Sequence, residues 1–416
     1  MKNGTDRLAY GRTFVIGLGF FTTAVSWSLY NSYVPIFLQR HVSSAALIGF
    51  VMTLDNWSAI VIQPWIGALS DRTSTRMGRR MPYIAAGVPL GALLFSAIPV
   101  FAGMSTFLPV FLVIMGFNLA MALYRAPVVA LMPDVTASAH RSKANGVINL
   151  MGGVGSILAF LGGSYLYELG NGVPFYAASA VMLIALVILL AAVRENRLRL
   201  GGTPASEAQR RPAIIRSIRD VIARREYSTI FILAAIFFWF FAYNGVETWF
   251  TTYGVKVLGI KENVAARMVS AVALSFVVFA LPAGFVGTRL GRKRTILVGL
   301  GLFIVVLVLL IVLRTAIALW VLLALAGLAW ALINVNSITI VWELAPGEHV
   351  GTYTGLYYFA SAAAQIVSPP LLGLVFDNAG MSALFPAAAV LMAVAALMML
   401  GVKSGEAVRV EKGEAQ

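Results

Sequence analysis

Long apolar runs and short polar breaks alternate along the whole of this chain. The runs are close to 20 residues, each enough to cross about 30 Å of hydrocarbon as a helix. Twelve can be set out, over 14–37, 45–69, 81–103, 106–132, 143–167, 173–193, 227–253, 262–288, 294–314, 316–342, 351–376 and 380–402. The alternating ten-residue segments of a transmembrane barrel are absent. The pattern therefore predicts an all-α polytopic membrane protein. The one long polar stretch, from Arg194 to Glu226, carries Gly201-Gly202, Pro204 and Pro212 and predicts a linker with a surface helix around 214–223. It divides the chain into a six-helix bundle at 1–193, a basic linker at 194–226, a second six-helix bundle at 227–402 and a charged tail at 403–416.

Composition agrees: 60% of the 416 residues are hydrophobic and only 12% charged, far from an ordinary soluble domain. The net charge of +14 invites a nucleic-acid reading. Most Lys and Arg fall on one side of the span map, however, so the basicity reads as the positive-inside bias, with both termini in the cytoplasm and no nucleic-acid partner. The first run follows Lys2, Arg7 and Arg12 but lacks a small-residue cleavage site, so it is expected to be a retained span. With no cysteine, disulfides, thiolate metal sites and cysteine nucleophiles are excluded. His41, His140 and His349 fall at span ends and suggest no metal cluster. No Gly-x-x-x-x-Gly-Lys-Ser/Thr loop is present, which argues against ATP drive. No catalytic constellation or cofactor motif stands out.

One hairpin organises the chain. Between the second and third runs, Gly67…Asp71-Arg72…Arg76…Gly78-Arg79-Arg80 packs four arginines and an aspartate into a short turn. A diluted copy follows the eighth run as Gly284…Thr288-Arg289…Gly291-Arg292, with Gly67, Asp71 and Arg72 matching Gly284, Thr288 and Arg289 at an offset of 217. Tyr30-Asn31 is matched by Tyr243-Asn244 at 213, and Asp134…Gly146 by Glu343…Gly355 at 209. Two parallel six-span halves follow, an arrangement whose ligand site is expected near the midplane between them.

The hairpin, Gly-x-x-x-Asp-Arg followed by Gly-Arg-Arg, resembles the signature loop of the major facilitator superfamily. The longer spacing between Arg72 and Gly78, and the run Pro127…Asp134 with Arg141…Asn145-Gly146, are similar to the sucrose:proton symporters and the wider glycoside–pentoside–hexuronide:cation symporters. The resemblance implies a twelve-span transporter working by alternating access. It also implies a sugar substrate, a disaccharide or glucoside, moved inward with a proton, and a monomer in the cell inner membrane. Departures bear on the coupling ion. The plant symporters carry an aspartate in the first span, whereas none lies between Thr13 and Gln39 here. Their fourth-span arginine aligns with Val129, and Arg125 lies one turn earlier. The carboxylates of sodium-coupled relatives align with Ala59 and Gln63, and Asp55 lies one turn before the first of these. Sodium coupling stays open beside proton coupling.

Ionisable groups inside a span are costly and are functional candidates by default. Asp55 and Arg125 are the candidate proton-coupling residues. At helical rise Asp55 lies about 24 Å from Asp71, and Arg125 about 13 Å from its own span end, depths that allow a direct pair. Desolvation and a nearby guanidinium move a carboxylate's proton affinity in opposite directions, so substrate or conformation can tip such a site. A structural polar pair is the alternative. Candidate substrate-binding residues are Trp27, Tyr30, Asn31, Asn56, Arg125, Tyr243, Asn244, Glu247, Trp330, Asn334 and Asn336: rings for sugar faces, amides for hydroxyls, and Arg125 for a hydroxyl or a carboxylate. Packing, or an interfacial position for Trp and Tyr, is the alternative for each. Gly67, Asp71, Arg72, Arg79, Arg80, Arg289 and Arg292 are expected to gate. Asp71 is expected to accept from a neighbouring helix start or an arginine, and Gly67 to allow close helix approach. The rival functions are a proton-driven exporter of amphiphilic compounds and a membrane sensor without flux.

Overall fold

The computed structural model describes residues 9–136, 140–193, 195, 227–345 and 350–403. The surface helix expected in the linker, the tail beyond Lys403, His349, and the side chains of Arg141 and Asn145 lie outside the described residues. Those residues form α1 (Tyr10–Gln39), α2 (Ala45–Met52), α3 (Leu54–Arg72), α4 (Met81–Ala102), α5 (Phe107–Val135), α6 (Arg141–Glu168), α7 (Val173–Ala192), α8 (Tyr227–Lys256), α9 (Glu262–Leu290), α10 (Arg292–Val312), α11 (Ala316–Leu344), α12 (Val350–Ala379) and α13 (Leu384–Gly401). Twelve stretches among them are long and apolar enough to cross a membrane, and the helices are apolar nearly all round, as spans must be. Local chemistry sets several ends. Ser44 accepts from the Leu47 N–H at 3.3 Å to start α2, Thr315 accepts from the Ala318 N–H at 3.4 Å to start α11, and proline occupies the first turn of α4 and α7.

The second span differs from the continuous helix expected over 45–69. It is two helices, broken at the fully buried Thr53, whose hydroxyl donates to the Phe50 carbonyl at 2.8 Å and competes with the helical ladder. Asp55 therefore sits in the first turn of α3, at a helix N-terminus inside the membrane-length stretch.

Two compact units are present. Among the described residues, the first comprises those up to Glu195, Glu247–Ala273 and Pro369–Ser382; the second comprises those of 227–246, Leu274–Ser368 and 383–403. In the first unit α1 packs mainly on α6 and α7, α4 on α5 and α7, and α3 on α5. Its centre is an aromatic column: Trp27, Tyr30, Phe117, Phe95 and Phe175 follow one another with ring centroids 4.8–5.8 Å apart.

At the end of this unit away from the Arg79–Arg80 hairpin, α12 is tied to α2. Asp377 accepts from Ser44 Oγ at 2.8 Å and from the Ala45 and Ala46 N–H groups at 2.7 and 3.1 Å. Gly49 and Gly373 let the two backbones touch, since a Cβ at either would strike main-chain atoms of the other helix. Trp249 donates to the Pro369 carbonyl at 3.3 Å. In the second unit α10 packs on α11 and α13.

Candidate functional site

The break at Thr53 puts Asp55 where helical N–H groups point at it, and the Asn56 N–H lies beside its carboxylate. One carboxylate oxygen is buried without a hydrogen-bond partner among the described residues. Beside it stands Tyr30, whose hydroxyl is buried without a hydrogen-bond partner among the described residues; the Asn118 side chain adjoins Tyr30, and its amide atoms are buried and likewise unpartnered. The indole N–H of Trp27, whose ring lies 5.2 Å from that of Tyr30, completes a set of polar atoms held in the aromatic column without partners. Such groups are costly to bury and uncommon in folded proteins.

Arg125 does not pair with Asp55. Its charge acts on Asp55 from beyond contact distance, and its guanidinium makes no hydrogen bond or ion pair among the described residues. It instead lines a cavity of about 340 Å³ with Phe20, Thr23, Trp27, Asn149 and Ser156, open at Gly152 where a Cβ would meet nothing. Two hydroxyls, one amide, one cation and two rings thus share a hollow in the first unit. Gly155 instead serves close packing, against the Phe21 carbonyl of α1. Asn31 and Asn56 are half-buried in the same unit, and Glu247 makes neither a hydrogen bond nor an ion pair with the described residues.

The second unit holds the remaining candidates. Tyr243 stacks on Trp330 with centroids 3.9 Å apart and planes 8° from parallel, and Phe240 meets Trp330 edge-on at 5.2 Å. Asn244 donates to the Phe240 carbonyl at 2.7 Å. Asn336 is buried and donates to the Ala283 and Leu332 carbonyls at 3.2 and 2.9 Å, a helix-to-helix tie against Gly287. Asn334, half-buried on the same helix, makes no side-chain hydrogen bond to the described residues.

The hairpin is a charge cluster within the first unit. Arg79 donates to Asp134 from Nε at 3.1 Å and Nη2 at 2.6 Å; Arg80 donates to Asp134 at 3.0 Å, to the Gly67 carbonyl at 3.2 Å, and to Ser70 and Asp71. Asp71 thus takes an arginine of its own hairpin. The helix start is claimed by Glu195, 1% exposed, which accepts from the N–H groups of Arg79, Arg80 and Met81 at 3.0, 2.9 and 3.1 Å. Gly78, at φ 117°, makes the turn that presses the hairpin onto Glu195. Gly67 corrects the expectation of close approach: a Cβ there would meet nothing, and the residue contributes its carbonyl instead. Arg72 and Arg289 are exposed and make no side-chain bonds among the described residues. In the copy, Gly291 has φ 91°, Arg292 pairs with Glu343 and donates to the Thr339 carbonyl at 2.9 Å, and Lys293 donates to the Leu400 and Val402 carbonyls at 3.1 and 2.5 Å.

Sequence reasoning missed Asn118, Thr23, Asn149, Ser156 and Glu195. Asn118 had a signal, an amide in an apolar run, by the rule applied to Asp55. Glu195 had none, being one acid in a basic stretch after the sixth span.

A helical protein of twelve spans, with an unpaired carboxylate and an unpaired guanidinium at membrane depth, is a secondary transporter by class. The chain belongs to the Major Facilitator Superfamily, which matches residues 16–272 and again 258–415; it is a transporter and not an enzyme, and the family works without a cofactor. It is 24% identical over 358 residues to Multidrug resistance protein 2 of Bacillus subtilis (strain 168), covering 83% of each chain. It is 28% identical over 158 residues to Sucrose transport protein SUC3 of Arabidopsis thaliana, covering 33% of this chain and 26% of that one. The crystal structure of the nucleoside transporter NupG is similar over 94% of this chain and 99% of its own, with a TM-score of 0.70 at 16% identity. That likeness shows the fold. Among the described residues no group of three His, Cys, Asp or Glu could hold a metal.

Proposed function

We propose that this transporter carries a small hydroxylated solute, of the sugar or glycoside class, inward across the cell membrane with a proton, by alternating access. The observation that carries the reading is Asp55, a carboxylate at a helix break with an unpartnered buried oxygen, near Arg125 but not neutralised by it. A group so placed can be loaded and unloaded with a proton, whereas an acid locked in an ion pair cannot without first breaking it. In the proposed order Asp55 is protonated from outside, and solute binds against Arg125, Trp27 and the neighbouring amides and hydroxyls. Closure and reopening follow, then release on deprotonation. The partly matched sucrose transporter supports a sugar. A second reading, proton-driven export of amphiphilic compounds, is favoured by the Bacillus relative, which matches most of both chains.

Uptake of labelled sucrose, maltose and simple glucosides into proteoliposomes separates the two. Under an inward proton gradient, accumulation that collapses with a protonophore and is lost in Asp55→Asn is the expected result. Full gradient-driven accumulation by Asp55→Asn would remove that residue from the mechanism. No accumulation of any sugar under either a proton or a sodium gradient would favour export.

A further inference from the structure

We propose that Thr53 is a hinge through which the α2–α12 contact governs the proton on Asp55, and that Asp377 sets that hinge. The inference rests on the coupling role proposed for Asp55 and names the residues that position it. Around Thr53 the backbone bonds run three residues back: its N–H donates to the Phe50 carbonyl at 3.1 Å, and the Asn56 N–H to the Thr53 carbonyl at 3.0 Å. A 3₁₀ turn of this kind within a span is a ready bending point. The Thr53 hydroxyl competes for the Phe50 carbonyl at 2.8 Å, the acceptor a continuous helix would offer to the Leu54 N–H. Beside the break, the N–H groups of Asp55 and Asn56 lie against the Asp55 carboxylate. Such donors favour the charged form of a carboxylate. Straightening the turn would return them to the carbonyls of Val51 and Met52, and Asp55, buried without them, would then favour its protonated form.

The contact with α12 supplies the lever. Asp377 holds the first turn of α2 through Ser44 Oγ and the Ala45 and Ala46 N–H groups, and one turn on Gly49 lies against the Pro369 carbonyl and the Pro370 nitrogen. A helix of eight residues gripped at two successive turns moves as a rod, and a change in its direction is taken up at the Thr53 turn that joins it to α3. Because α2 comes from the first half of the chain and α12 from the second, alternating access must loosen this grip when that end opens. With the grip on, α2 is bent from α3 and Asp55 keeps its donors; with the grip off, α2 aligns with α3 and Asp55 takes a proton. That is the order symport needs, loading from the open end and release after it shuts. The ionisable groups acting on Asp55 from its neighbours are Tyr30 of α1 and Arg125 of α5, and Glu247 is not among them. No titratable side chain lies on α2 itself, so its influence on Asp55 runs through the backbone.

The test uses the full chain in liposomes and needs no solute. Since the chain has no cysteine, Ser44→Cys with Asp377→Cys introduces its only thiols, and a reducible bis-methanethiosulfonate reagent bridges them where the two side chains now meet. Infrared spectroscopy follows the protonated-carboxyl band over about pH 4 to 9, wide enough for ordinary and buried carboxyls, and Asp55→Asn separates the Asp55 part from that of Glu247. In the bridged protein the Asp55 band is expected to fade about one pH unit or more below the same protein after reduction, ten-fold in proton affinity. Thr53→Val, which keeps the shape and removes the hydroxyl, should raise the midpoint above that of the parent, and Thr53→Ser should recover most of the difference. A merely structural Thr53 would alter thermal stability and leave the band in place. Equal midpoints in the bridged and reduced forms, or a Thr53→Val midpoint equal to the parent's, overturn the hinge and leave Asp55 as the coupling group. An Asp55 band that does not titrate in this range in any form removes the coupling reading, and the hinge falls with it.

Discussion

The two hairpins began as one design and now hold their helices by different means. In the first, Asp71, Asp134 and Glu195 surround Arg79 and Arg80, and every guanidinium contact is to an acid, a hydroxyl or a carbonyl. In the second, Arg292 and Glu343 keep the counterpart of the Arg79–Asp134 pair, Thr288 stands where Asp71 was, and Lys293 reaches main-chain carbonyls at the end of α13. Burial follows the same division. Arg79 and Asp134 are 9% and 13% exposed, Arg292 and Glu343 23% and 20%. What survived duplication is the arginine–carboxylate pair after a glycine at positive φ; what diverged is the acid around it.

The comparison can be broken most severely at its shared pair. Asp134→Asn leaves two buried guanidinium groups short of their acceptor, a loss of about 3–5 kcal/mol, whereas Glu343→Gln at the more open copy should cost about 2 kcal/mol. Thermal unfolding of the detergent-solubilised variants should therefore show the larger fall in midpoint for Asp134→Asn, and the opposite order would mean the first cluster is not the stronger one. A middle-sized effect is expected from Glu195→Gln, which exchanges a charged acceptor of three N–H groups for a neutral one at about 2 kcal/mol. Amide hydrogen exchange at Arg79, Arg80 and Met81 should rise in that variant while the Arg292 turn stays as it was. The smallest effect should come from Thr288→Asp, which restores the missing acid at an exposed position and should gain under about 1 kcal/mol. Its midpoint should exceed that of the parent only at low salt; a gain that persists in high salt would point to a contact other than a screened surface pair.

Much of the fold was legible because a bilayer leaves the backbone one economical choice per span. Length and apolarity therefore fixed the twelve crossings within a few residues. Repetition made the hairpins and the Asp134–Glu343 correspondence visible too. What sequence could not supply was direction around each helix. The spans are apolar on every side, so nothing in the pattern told that Arg125 turns to a cavity and not to Asp55, or that Asn336 spends its amide on backbone carbonyls. The break at Thr53 was hidden for a related reason. Threonine in an apolar run reads as a small span residue, and only the Phe50 bond reveals that it ends one helix and begins another.

The tie between α2 and α12 bears on how this gene could be cut and recombined. The linker at 194–226 looks like the natural seam, yet the first unit contains Glu247–Ala273 and Pro369–Ser382 from beyond it. Joining the first half to a relative's second half would ask a foreign residue to stand in for Asp377 at Ser44, and a foreign glycine for Gly373 against the Ala45 backbone. The two halves of such a chain must match at these contacts, and a library of chimeras spliced at the linker should be rescued by carrying these two positions across with the half that needs them.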